Sequence, residues 1–170
     1  MSQFSPAFAY MIPHEDSRRS WDVRTDNNGG QVIAGINSKA FPHDFASIIA
    51  IPQEARGAAI QMFYLSRFWT PMKLGGLESQ DLANQVFDQA VNSGSVKAIK
   101  LLQRACNALR QNVEVDGAIG PMTLAAANAP DPDSIVAAYR IERQTFYRTL
   151  AEINPADQPY LEGWIKRTEG

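Results

Sequence analysis

The chain has 170 residues, enough for one sizeable hydrophobic core or two small ones. Apolar residues make up 45% and charged residues 20%, the balance of a water-soluble globular protein rather than a disordered or fibrous one. The net charge is −2, with seven basic and eight acidic groups in residues 1–85 and nine and ten in residues 86–170; without a basic block, nucleic acid is excluded as a partner and wall or surface binding has to be local.

From the N-terminus, Phe4, Phe8 and Met11 fall at helical spacing over Ser2–Ile12. Pro6 suits a first turn, and Pro13 is expected to stop the helix just before His14 and Glu15. This start has no basic residue and no long apolar run, so it is not a secretory leader, and no segment approaches the roughly 20 apolar residues of a membrane span. A polar run with three more carboxylates follows: Asp16, Asp22 and Asp26. Asn27-Asn28-Gly29-Gly30 is a turn signal, and Gln31–Ile36 reads as a strand. Glu15 then ends a helix, and a β-hairpin carries Asp22 and Asp26 back towards it. Cleavage of a sugar–sugar bond needs such a pair: a protonated acid for the leaving oxygen and an ionised group for water or the developing cation. Trp21 is either a stacking platform for a pyranose ring or a cover for the core.

Lys39–Ile51 reads as a connection punctuated by Pro42 and Pro52. A helix begins near Pro52, with Ala59, Met62, Phe63 and finally Trp69 on its apolar face; Tyr64 or Trp69 is expected to line a cleft. After a turn at Leu74–Leu77, Glu78–Asn92 forms a helix with Leu82, Val86, Phe87 and Ala90 on one face. Asp88 and Asn92 share a face at i and i+4, and Gly94 caps the end. Polar groups so placed need partners, so both are expected to support an active-site wall. Ser95–Arg110 is the clearest helix, Ser95 its N-cap, with Cys106 on the apolar stripe as a core residue. As the sole cysteine it allows no internal disulfide, and His14 and His43 have no metal-ligand spacing with it. Asp116–Thr123 is a tight loop in which Ile119 plugs the core and Pro121 starts a helix. Ser134–Glu152 is a long helix with Ile135, Tyr139, Phe146 and Leu150 inwards, and Trp164 reads as core. No repeat or linker interrupts the chain, so residues 1–85, with the hairpin, and residues 86–170 are expected to pack as a single body.

Glu15-Asp16-x-x-x-Ser20, Thr25-Asp26-Asn27-x-Gly29-Gly30 and Gly35-Ile36-Asn37 resemble the N-terminal motif of glycoside hydrolase family 108. The resemblance continues through Phe63–Trp69, Asp88-x-Ala90-Val91-Asn92-x-Gly94, Tyr139-Arg140-x-x-Arg143 and Gly163-Trp164-x-x-Arg167. Asp116-Gly117-x-Ile119-Gly120-Pro121-x-Thr123 is similar to a signature of small helical peptidoglycan-binding modules. The chain departs from the usual family form at Asp16-Ser17, which replaces Gly-Gly; in a longer segment before Gly29-Gly30; and at Val32, which stands where Thr is common. The resemblance implies a mainly α, lysozyme-like fold and an N-acetylmuramidase that cuts the β-1,4 bond between N-acetylmuramic acid and N-acetylglucosamine without a cofactor. It makes Glu15 the catalytic acid and Asp26 the first choice for the second carboxylate, with Asp22 the substitute. Asp22, Trp21, Tyr64, Asp88 and Asn92 are the expected substrate-binding residues. A wall-binding module without catalysis and a lytic transglycosylase are the rival readings. The implied partner is bacterial peptidoglycan, reached by a monomer made in the cytoplasm and delivered to periplasm or cell wall as a phage endolysin, through a holin, or as an antibacterial effector, through a secretion system. An effector would add a cognate inhibitor or immunity protein.

Overall fold

The computed structural model describes residues 1–26 and 29–169, and its first element is helix α1 (Phe4–Glu15). Ala7, Phe8, Met11 and Ile12 form its buried stripe. Pro13 does not stop it. A proline here removes only the hydrogen bond to the carbonyl of Ala9, which is exposed and open to water, so the last turn survives. Glu15 is thus the last helical residue, one turn beyond Met11 and Ile12 and on their side of the helix.

Three short antiparallel strands follow: β1 (Arg24–Thr25), β2 (Gln31–Ile33) and β3 (Ile36–Asn37). Arg24 pairs with Val32 and Thr25 with Gln31; Val32 pairs in turn with Asn37 and Ile33 with Ile36. Asn27 and Asn28 of the expected turn lie outside the described residues. The single strand expected over Gln31–Ile36 is broken by Ala34-Gly35, both at positive φ (46° and 79°), the conformation of a tight two-residue hairpin turn.

The segment read as a connection contains helix α2 (Pro42–Ile49). Pro42 occupies its first turn and Phe45 and Ile48 are buried one turn apart, a pattern too short to stand out as a periodicity. Helix α3 (Arg56–Tyr64) runs into a π-helical turn at Leu65–Trp69, which turns Trp69 into the core against Phe4 and Phe87.

Helix α4 (Gln80–Ser93) is the axis of the molecule. It is buried at Leu82, Ala83 and every residue from Gln85 to Ala90, and packs on α1 and on two later helices, α5 (Ser95–Ala108) and α7 (Pro132–Ile153). Ser79 caps α4 by accepting the Leu82 amide at 3.2 Å. Gly94 (φ 93°) serves both junctions: its amide closes α4 on Ala90, and its carbonyl opens α5 on Ala98, so Gly94 rather than Ser95 flanks the second helix. In the Asp116 loop, the Gly117 amide donates to Gln103 Oε1 at 2.9 Å. A side chain on Gly117 would meet Val96 at 2.8 Å with φ at +83°, so that glycine is required by the fold. Helix α6 (Pro121–Asn128) starts at the expected proline, and α8 (Gln158–Glu169) lies on α7. Eight α-helices and one small sheet make up the described residues, the mainly helical, lysozyme-like architecture that the sequence implies.

The core cluster runs without a break from Ala7 of α1 through Leu82 and Phe87 to Tyr139 of α7. Residues 86–170 expressed alone would expose the faces of Val86 and Phe87, both fully buried in the intact chain. At about 25 cal/mol per Å² of apolar surface, that loss is large against the stability of a domain. The fragment is expected to lack a cooperative melting transition by circular dichroism; a sharp melt would show that it folds independently.

Candidate active site

A buried carboxylate organises the site. Asp88, on α4, is fully buried and draws donors from three elements. His14 Nδ1 of α1 lies 2.9 Å from Oδ1, Arg143 Nη2 of α7 is 2.7 Å from Oδ2, and Arg167 of α8 is bidentate, with Nη2 2.8 Å from Oδ1 and Nε 3.0 Å from Oδ2. Burial pushes the Asp88 carboxyl up, but the hydrogen bonds from His14 and Arg167 and the charges of Arg167 and Arg143 outweigh it and hold the group below the usual carboxylate range. An ionised acceptor at Oδ1 requires His14 to carry its proton on Nδ1. Arg143 Nε also donates to Gln89 Oε1 at 2.8 Å, and the Tyr147 hydroxyl sits between Gln89 Oε1 (3.0 Å) and Asn92 Oδ1 (2.9 Å).

Arg167 carries this network to the expected acid. The same Nη2 that binds Asp88 donates to Glu15 Oε1 at 2.7 Å. The other oxygen, Oε2, faces the turn between β2 and β3, where a side chain on Gly35 would meet it at 2.6 Å and the Tyr64 hydroxyl at 2.8 Å. Tyr64 donates to the Ala34 carbonyl at 2.6 Å and so pins that turn over the acid. Glu15 remains partly open, its side chain 18% exposed, at a pocket it shares with Asp16, Asp22, Arg24, Val32, Ala34 and Gly35. In chemical terms, a carboxyl that borders a pocket and has one oxygen clasped by a guanidinium has its other oxygen left for proton exchange.

Of the two hairpin carboxylates, Asp22 lines this pocket and Asp26 does not. Gln53 Nε2 holds Asp22 Oδ1 at 2.6 Å. Asp26 accepts the Gly30 amide at 2.9 Å and the side-chain amide of Asn37, closing the neck of the hairpin. Asp16, one of the departures from the usual motif, is 3% exposed and accepts the amide of Trp21, fixing a loop in which Arg19 and Trp21 adopt positive φ. Trp21 is half-buried against Gly57, with its carbonyl held by Arg56 at 3.0 Å. Tyr64 (1% exposed) and Asp88 (0%) present no side-chain surface to the pocket; Tyr64 binds the Ala34 carbonyl beside Glu15, and Asp88 shares Arg167 with it. Trp69, at 7%, is core as well. Asn92 is partly exposed and faces a second groove beyond Arg167. Cys106 is buried, which pushes its thiol up to about 11 and leaves it inert.

Arg143 and Arg167 enter the sequence reading only as motif residues without a site role, and Gln89 not at all. For Arg143 a signal existed: Ile135, Tyr139, Arg143, Tyr147 and Ala151 are the buried positions of α7, each four residues from the last. A guanidinium on such a stripe demands a buried anion.

Because Asp88 is held below its unfolded value, its stabilisation is fully present above the unfolded value, near 4, and is lost as pH falls through the folded value. The melting temperature is therefore expected to drop on acidification below about pH 4. Asp88→Asn leaves the buried Arg143 guanidinium without its anion, at a cost of about 3–5 kcal/mol, and should flatten that acid limb. Thermal melts across pH check both; an unchanged acid limb in the variant would remove Asp88 as its source.

Residues 19–94 match the family described as Glycosyl hydrolase 108, and residues 97–169 match the family described as Predicted Peptidoglycan domain. Glu15 lies four residues before the first match. Among solved structures, the chain is similar to Brucella abortus SagA, with a TM-score of 0.72, 20% identity, and coverage of 98% of this chain and 89% of that one; at this identity the likeness speaks for the fold. No curated protein matches the chain. The chain is thus similar to glycosyl hydrolase family 108 over residues 19–94 and to a peptidoglycan domain over residues 97–169, and these two likenesses in succession mark a glycoside hydrolase that acts on peptidoglycan.

Proposed function

We propose that the chain is an N-acetylmuramidase, with Glu15 as general acid and Asp22 as the second carboxylate. The observation that carries this reading is the pocket holding both groups, one at a helix end against Arg167 and one on the approach to β1. Glu15 passes its proton to the glycosidic oxygen between N-acetylmuramic acid and N-acetylglucosamine as the C–O bond breaks. Asp22 faces the cation that develops at the sugar carbon and helps water add there. Arg167, already 2.7 Å from Oε1, stabilises the carboxylate that proton transfer creates. Asp26, the motif's own choice, is reassigned to holding the hairpin together.

A lytic transglycosylase is favoured by one detail: Val32 lines the pocket where a threonine hydroxyl would help to orient water. Such a reaction closes an anhydro ring instead of adding water. Glu15→Gln should preserve the melt and reduce cleavage of purified sacculi by about 10²–10⁴-fold. Asp22→Asn should cost more activity than Asp26→Asn, whose loss is expected chiefly in hairpin stability. Parent-level lysis by the Gln variant would exclude Glu15 as the acid. Products lighter by one water in mass spectrometry would replace hydrolysis by transglycosylation.

We also propose that this hydrolase works as a phage endolysin or a delivered antibacterial effector, the effector accompanied in its producer by an inhibitor that fills the Glu15 pocket. Its substrate lies outside the cytoplasmic membrane, and no helix among the described residues is long and apolar enough to cross one. Directing the chain to the bacterial periplasm should lyse cells that tolerate it in the cytoplasm; normal growth of both cultures would overturn this setting.

A further inference from the structure

Beyond Arg167, on the side away from the hairpin, lies a groove of about 380 Å³ lined by His14, Asn92, Gly163, Trp164, Lys166 and Arg167. This is within the size range of small-molecule sites. We propose that this groove binds the carboxylate-bearing arm of the muramyl sugar, the lactyl group and its attached peptide, so that the hydrolase recognises substituted rather than bare glycan. The proposal rests on the peptidoglycan-hydrolase reading and extends it to a residue-level subsite.

Three independent features support it. The first is charge. Within the cluster, Arg143 and Arg167 balance Asp88 and Glu15. Lys166 is exposed at the groove and adds a positive charge that this cluster does not balance. A carboxylate is the complementary ligand.

The second is Gly163. It sits inside α8, where glycine costs about 0.5–1 kcal/mol relative to alanine. Its φ is not positive, and a Cβ would meet nothing within 4 Å. Nothing in the fold itself requires a glycine there; the empty space in front of it is the groove.

The third is Trp164, read from sequence as core. It is half-buried, stacks on Tyr147 with ring centroids 5.3 Å apart and planes at 27°, and lies 6.0 Å from the exposed Tyr160. This puts an aromatic wall beside the cations, suited to the apolar face of a sugar or of the lactyl methyl.

The test measures equilibrium binding to full-length Glu15→Gln protein, so that it does not depend on turnover. Three soluble probes are compared: a muramyl disaccharide with its stem peptide, the same disaccharide stripped of peptide so that the lactyl carboxylate is free, and a neutral N-acetylglucosamine oligomer of equal length. The protein should prefer the carboxylate-bearing probes, and the order of the first two tells whether the peptide or the lactyl carboxylate is read. Lys166→Glu should weaken those probes by about fivefold, in a salt-dependent way, and leave the neutral oligomer unchanged. Gly163→Leu should melt at or above the parent temperature yet lose the preference, because its side chain fills the groove and favours the helix. Equal affinity for all three probes, or a folded Gly163→Leu protein that keeps the preference, overturns the proposal. Failure of the intact enzyme to cleave sacculi would instead count against the muramidase reading, whatever the binding results.

Discussion

Everything near the acid depends on one buried negative charge. Asp88 has no access to water, and its two oxygens are satisfied only because α1, α7 and α8 each deliver a donor to the same point on α4. A buried ion pair of this kind is a poor source of net stability, since desolvation cancels much of its attraction. What it provides is geometry. Any other relative placement of those helices leaves a charge stranded in the core, so the arrangement that aims Arg167 at Glu15 is the one that avoids that penalty.

The hairpin is constrained from the other side. Tyr64 reaches from the end of α3 to the Ala34 carbonyl, and the Ala34-Gly35 turn presses its backbone against Glu15. Arg56 and Gln53 fix the approach by binding the carbonyls of Trp21 and Ser20. The acid is therefore held between a guanidinium and a peptide turn, neither of which belongs to its own helix. Hydrophobic burial supplies the stability, through the aromatic contacts of Phe4, Tyr64, Trp69 and Phe87. Polar contacts supply the orientation.

Much of this was legible in the residues. The long helices follow from apolar periodicity, and the Asp116 loop and Gly94 from turn chemistry. The placing of Glu15 at a helix end, with a hairpin after it, follows from the motif. Four things were hidden. Pro13 looked like a stop because sequence does not reveal whether the carbonyl it orphans faces water. Helix α2 and the Ala34-Gly35 turn are too short to carry a period of their own, and tertiary contacts decide them. The different surroundings of Asp22 and Asp26 are also hidden, because motif position and pocket position differ: Asp26 precedes the turn as expected and its oxygens close the hairpin neck, whereas Asp22 lines the Glu15 pocket. The arginines at 143 and 167 are 55 and 79 residues from the aspartate they share, so no local pattern identifies that partner, even where the α7 stripe marks Arg143 as buried.

The clasp between Arg167 and Glu15 joins positions 152 residues apart. A ribosome therefore makes the guanidinium well over a hundred residues after the acid. Until Arg167 is made, the nascent chain holds Glu15 without the group that orients it, and Asp88 lacks at least one of its three donors. The working constellation can form only after the whole stretch between them has been synthesised. For a hydrolase built in this way, the order of the amino acids along the chain is itself a form of delay.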